Sequence, residues 1–251
     1  MRAFRVAAIA ACVAALSAGL CAPAQAASSS ASIGTLQVTL KDLNTNDNVK
    51  PALLITNGMS FVDLSLTGYA PVDLSASGWY APLTGTLGSG SPVDGGSSAK
   101  SGLFAYGQTS VPHTQYSAGS ISRAGSTDTG MGGFFLAPFT EASITVPYHL
   151  FVSIDGNNEN AFSSVTLFSG GVEQPGSIML GIAGDAGSAS HDGFLTLTLT
   201  NRSAHWMSDE VELDANAWGN VQSVPEPATV ALWAAGLFGV GVTTRRKLRR
   251  G

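Results

Sequence analysis

One row of side chains constrains this chain more than any other feature: Ile144, Val146, Tyr148, Leu150, Val152 and Ile154. Apolar residues at every second position share one face of a β-strand, because successive side chains point to opposite sides. The same period recurs in Leu36, Val38 and Leu40, in Val62, Leu64 and Leu66, in Leu195, Leu197 and Leu199, and in Val165 and Leu167, with Gln37, Thr39, Asp63, Ser65, Thr196 and Thr198 between them. No stretch between residues 27 and 223 sustains helical spacing over three turns. That span holds 46 Ser and Thr and 25 Gly, a composition of strands and turns. The expected fold is all-β, a β-sandwich of jelly-roll type with one face of each sheet buried and the other wet.

Asx-Gly pairs accept positive φ at little cost, so Asn57-Gly58, Asp94-Gly95, Asp155-Gly156 and Asp192-Gly193 are read as turns. Asp155 to Asn160 is expected to close a hairpin between strands near 144–154 and 163–168. Pro147 removes one ladder donor, which predicts an edge or a bulge in the first of these strands. Residues 84–102 are read as a long Gly/Ser-rich surface loop, and 27–32 as a short flexible lead.

The two ends have a different character. Arg2 and Arg5 precede an apolar stretch from Val6 to Leu20, and Ala24-Gln25-Ala26 is an A-x-A site. This is the pattern of a secretory signal peptide, residues 1–26, cut after Ala26. Leu20 stands where a lipoprotein signal has a small residue before its cysteine, which argues against lipidation of Cys21. Cys12 and Cys21 both lie in the signal, so the mature chain has no thiol chemistry and no disulfide.

At the far end, Val224-Pro225-Glu226-Pro227 leads into fifteen uncharged residues, Ala228 to Val242. They give roughly 23 Å of helix, and Thr243 and Thr244 extend it toward a bilayer core of about 30 Å. The predicted transmembrane helix covers about 228–244. Arg245, Arg246, Lys247, Arg249 and Arg250 then form a stop signal in a basic tail, 245–251, that stays cytoplasmic. These 28 residues, 224–251, resemble the PEP-CTERM sorting signal of exported bacterial proteins: the Pro225-Glu226-Pro227 triplet, a Gly-containing apolar helix and a terminal Arg cluster, in that order. The resemblance implies recognition by a membrane-embedded exosortase, cleavage or transfer near the motif, and a link to exopolysaccharide and the cell surface. Within the exported stretch, Leu136-Ala137-Pro138-Phe139-Thr140 resembles a Leu-x-Pro-x-Thr turn of other domains bearing this tail, and Leu195 to Ala204 is of the same kind.

Of the 12 Lys and Arg, two precede residue 27 and five lie in the tail; of the 17 Asp and Glu, only Glu226 lies outside 27–223. Five cations against 16 anions leave the exported domain, 27–223, at −11. This charge argues against a nucleic-acid partner, which needs a basic footprint.

The search for chemistry is largely negative. There is no G-x-S-x-G elbow and no H-E-x-x-H pair. Ser97-Ser98-Ala99-Lys100 matches S-x-x-K without its companion motifs, and His113, His149, His191 and His205 are far apart. His191-Asp192 sets a base beside a carboxylate, but Gly193 favours a turn there. Calcium is an open alternative at two places. Asp42, Asn44 and Asn46 offer alternating oxygens, though Asp47 and Leu53 stand where an EF-hand needs Gly and Glu. Glu210, Glu212 and Asp214 would share one face of a strand, or simply wet an edge. No other cofactor is expected. The reading that follows is a non-catalytic surface or matrix protein, exported by the general secretory route. It is anchored in the inner membrane with its domain outside, then processed to the cell surface or medium. The alternative is a carbohydrate-binding or carbohydrate-active β-sandwich, with Trp79-Tyr80, Trp206 and Trp218 among acidic residues on one concave face.

Overall fold

The computed structural model describes residues 26–222, apart from 57, 89–92, 100–101, 112, 125–133, 157–158 and 171–175. Residues 1–25 of the signal peptide, Ala24 among them, the sorting tail and the predicted membrane helix lie outside these residues. The described chain is all-β, with no helix and therefore none long and apolar enough to cross a membrane.

The strands are β1 (Ala27–Ile33), β2 (Gln37–Asp42), β3 (Leu53–Ile55), β4 (Met59–Leu66), β5 (Val72–Ser77), β6 (Leu83–Leu87), β7 (Val93–Ala99), β8 (Leu103–Thr109), β9 (Thr114–Ala124), β10 (Phe134–Leu136), β11 (Thr140–Ile154), β12 (Glu159–Ser169), β13 (Gly176–Gly184), β14 (Gly187–Asn201), β15 (Met207–Asp209) and β16 (Val211–Val221). A first, seven-stranded sheet runs β14-β11-β1-β8-β7-β6, with β2 also on β11. A second, six-stranded sheet runs β13-β12-β16-β9-β4-β5, and a small third sheet is β15-β10-β3. Every ladder for which a register is defined is antiparallel.

The first two sheets pack face to face, consistent with a β-sandwich. The alternating row from Ile144 to Ile154 is buried along its whole length and meets Val165, Leu167, Leu213 and Ala215 of the second sheet. Val62, Leu64 and Leu66 of β4 and Leu195, Leu197 and Leu199 of β14 are buried as their period requires. Of these rows, Leu36, Val38 and Leu40 alone stay partly exposed, with Leu36 and Leu40 packed against the edge of the core.

Five local expectations are overturned. The 27–32 lead is the interior strand β1, held between β8 and β11 with Ala27 and Ala31 fully buried. Its small side chains suit the close approach of two sheets rather than a free end. The 84–102 loop contains β6 and β7. Gly85 belongs there because a Cβ would come within 2.9 Å of both Leu64 and Val62. Asp94-Gly95 and Asp192-Gly193 lie within β7 and β14 and are not turns. β11 and β12 belong to different sheets, so the link between them is an arch and not the expected hairpin.

Pro147, finally, sits in an interior strand. The line of partners on that side of β11 breaks there: β1 ends opposite Tyr148, and β2 begins opposite Thr145. The Pro147 carbonyl accepts from the Gly34 N–H at 2.8 Å, in the break itself. A strand residue directs its N–H and C=O to the same side, so the donor that proline lacks would have faced the gap.

Candidate functional site

The outer face of the second sheet collects the chain's densest polar and aromatic group. Register sets Phe162 of β12 beside Trp218 of β16. Their rings stack at 5.5 Å with an interplanar angle of 15°. Phe162 lies over Gly181 of β13, where a Cβ would come within 2.4 Å of the ring. The next row across the sheet reads Met179, Ser164, Asn216, Gly119, Asp63 and Asp73. Gly119 leaves room for Asn216, whose Oδ1 would lie 2.8 Å from an added Cβ. Asn216 Nδ2 donates to Asp214 Oδ2 at 2.7 Å. Arg123 of β9 closes the group, paired with Glu210 at 3.0 Å and with Glu212.

The face is acidic, and burial makes two of its carboxyls, Asp214 and Asp63, reluctant to ionise. Desolvation pushes the Asp214 carboxyl up to about 6; the Asn216 hydrogen bond opposes the shift, and Glu212 and Asp63 add to it. Asp214 Oδ1 is buried without a partner among the described residues. Asp63 is also raised, first by burial and then by Asp73 directly across the ladder. Chemically the group offers aromatic surface beside an amide and carboxyls, with one clamped guanidinium.

The residues singled out from sequence are dispersed. Glu212 and Asp214 share the outer face of β16, as their period predicts, and Glu210 reaches the same arginine from the preceding residue. Asp42 ends β2 and Asn44 and Asn46 follow it, with the Asp42 and Asn44 oxygens capping backbone donors. Asn44 N–H donates to Asp42 Oδ1 at 2.8 Å and Asn46 N–H to Asn44 Oδ1 at 3.4 Å. Among the described residues, no group of three or more His, Cys, Asp or Glu is arranged to hold a metal ion. The three described tryptophans occupy three separate places. Trp79 contacts Tyr80 at 5.4 Å and both pack on the core, while Trp206 is half exposed beyond β14.

His191 and Asp192 do not act together, because adjacent strand residues face opposite ways. Asp192 Oδ1 lies 2.7 Å from His149 Nδ1, and His191 Nδ1 lies 2.9 Å from Tyr148 Oη. Ser97 is in β7; Lys100 lies outside the described residues. The sequence does not single out Phe162, Asn216 and Arg123, and it shows Asp63 only as a polar residue of an alternating strand. Their only signal is cross-strand register, which a linear reading does not contain.

The two segments that resembled other exported domains meet at one side chain. Asn201 Nδ2 donates to the carbonyls of Leu136 and Ala137, both at 3.0 Å, and of His205 at 2.8 Å. Its Oδ1 accepts from the Ser203 N–H at 3.0 Å and the Ser203 hydroxyl at 2.8 Å. This is a structural clamp, and Asn201 is buried.

Beyond β16 come Gln222 and Ser223 and then the tail, whose triplet, apolar stretch and basic cluster were described above. Residues 223–247 match the PEP-CTERM protein-sorting motif. The PEP-CTERM motif implies an exported protein processed by an exosortase, membrane-anchored before processing and ending on the cell surface. The rest of the chain has no family assignment. No curated protein matches it. Among solved structures, secreted serine protease VesC from Vibrio cholerae aligns over 79% of this chain and 46% of its own, at 8% identity and a TM-score of 0.11. The chain thus spans less than half of that protein, and the likeness is too slight to indicate a shared fold.

Proposed function

We propose that this chain is a non-catalytic surface or matrix protein: a jelly-roll-like β-sandwich carried to the cell envelope and handed to an exosortase through its PEP-CTERM tail, in association with exopolysaccharide. The observation that carries this reading is the sorting motif at 223–247. It is supported by the absence of a catalytic sequence motif and by a described domain whose buried polar groups chiefly stabilise turns and cross-sheet contacts. The test replaces Pro225, Glu226 and Pro227 with alanine in the native host. Full-length protein should then accumulate in the inner membrane and surface or secreted protein should fall. Normal release of the altered chain overturns the reading.

A second reading rests on the Phe162–Trp218 stack. Stacked aromatic surface flanked by the Asn216 amide suits the apolar face and hydroxyls of a sugar ring. The surrounding carboxyls favour a neutral glycan over an anionic one. Glycan-array binding with and without calcium, compared with Trp218→Ala, tests it; equal binding by both proteins removes this face from consideration.

A further inference from the structure

The arch at the end of β11 holds a buried carboxylate that is only half used. Glu159 opens β12, is 2% exposed and points between the sheets. Its Oε2 accepts from the N–H groups of Asp155 at 2.9 Å and Gly156 at 3.3 Å. Its Oε1 is buried and has no hydrogen-bond partner among the described residues. A buried carboxylate oxygen without a partner is costly, so such a group calls for a cation or a donor.

The Asp155 N–H also donates to the carbonyl of Ala26, at 3.1 Å. Glu159 Oε2 and the Ala26 carbonyl therefore share one donor. That carbonyl belongs to the peptide bond at which the signal sequence is read to end. Its carbon is bonded to the nitrogen of Ala27, the first residue of β1, which is fully buried in one apolar cluster with Ile154, Ala161 and Val221. Those residues belong to β11, β12 and β16, so the cut site and the start of β12 lie at the same pole of the sandwich.

We propose that signal removal completes this site: the new α-ammonium of Ala27 pairs with the Glu159 carboxylate and locks β1 between β8 and β11. Hydrolysis breaks the Ala26–Ala27 C–N bond. The hydroxyl of water goes to the Ala26 carbonyl carbon, and its proton goes to the Ala27 nitrogen, which takes a second proton from solvent to become –NH3+. The Ala26 carbonyl departs, the Asp155 N–H is left to Glu159 alone, and a cation forms beside the unpartnered oxygen. Asp155 is the described charge that acts on Glu159, and it adds negative potential at the site. Maturation thereby fastens the interior strand at its first residue, with no disulfide available to do so.

The inference rests on cleavage after Ala26, and its test separates the two. The full-length gene is expressed with export, and the product is N-terminally sequenced and reductively methylated with 13C-formaldehyde. The α-dimethylamine is then titrated by NMR. The sequence should begin at Ala27, and its amine should titrate at least one pH unit above the free value of about 8, a tenfold or greater gain in proton affinity. Glu159→Gln should return it to about 8. A different N-terminus overturns the cleavage reading and the lock with it. An Ala27 amine that titrates near 8 in the unaltered protein overturns the lock alone, whether or not the Gln variant folds.

Discussion

Tyr116 Oη lies 2.8 Å from Ser29 Oγ, a buried hydrogen bond between the interior strand of one sheet and a strand of the other. The ring threads between two glycines to reach it. A Cβ on Gly107 would come within 2.0 Å of the ring, and one on Gly219 within 2.6 Å of the hydroxyl. Burial raises the phenol's pKa, so the bond is made by the neutral form. The Ser29 hydroxyl has a second acceptor in the Trp218 carbonyl at 3.3 Å. Tyr116→Phe should therefore cost only about 1 kcal/mol in urea unfolding. Gly107→Ala should cost about 3 kcal/mol or more, since the ring has nowhere to go. The reverse ranking would show that the hydroxyl and not the space matters.

The Asp214 carboxyl makes stability depend on pH with a definite sign. Its folded pKa of about 6 lies above the ordinary 3.8, so folding favours the protonated form. The contribution is full below pH 3.8 and is lost as pH rises through about 6. The difference amounts to about 3 kcal/mol at most. Asn in its place keeps an acceptor for Asn216 and has no charge to bury. Asp214→Asn should match the parent near pH 4 and exceed it by up to about 3 kcal/mol at pH 7. Parallel denaturation curves at the two pH values give the answer; a constant difference between the proteins would refute the assignment.

What the sequence revealed and what it hid follow from range. The Ile144–Ile154 row declared its strand and its buried face because period 2 is a local property. The Glu212 and Asp214 face was legible for the same reason. Which strand lies next to which is not local. Nothing in Ala27–Ser32 announces an interior strand, because its serines are placed by β8 and β11, about eighty and one hundred and twenty residues away. The Asp192-Gly193 turn failed similarly: Gly193 is small because Tyr148 lies against it, with Oη 2.6 Å from where a Cβ would be. Phe162 met Trp218 through register alone. The sorting motif, matched over residues 223–247, was legible because its recognition depends on order along the chain and not on folding.

Asn201 is the side chain whose loss should be felt over the widest area. It satisfies three carbonyls and two donors from Ser203 while buried itself. Asn201→Asp keeps the acceptor for Ser203 but turns a donor to three carbonyls into a buried charge. It should destabilise by about 3 kcal/mol or more and should be worse at pH 7 than at pH 4, where the carboxyl is partly protonated. Thermal unfolding at both pH values measures this. An Asp variant as stable as the parent at pH 7 would mean that these bonds are not maintained in solution.

Gly34 and Pro147 should be energetically coupled. Gly34 stands in the gap between β1 and β2, and a Cβ there would come within 2.8 Å of Pro147 Cγ, with the next contacts relaxed to 3.6 Å and beyond. The obstacle is therefore one ring carbon and not backbone. Gly34→Ala alone should cost about 1–2 kcal/mol by crowding. Pro147→Ala alone should be nearly neutral, because the N–H it restores faces the gap and not a ladder partner. Together the two changes should cost less than Gly34→Ala alone, giving a coupling energy of about 1 kcal/mol in a double-mutant cycle. Strict additivity would mean that the strand break is held by something other than the fit of this glycine against this ring.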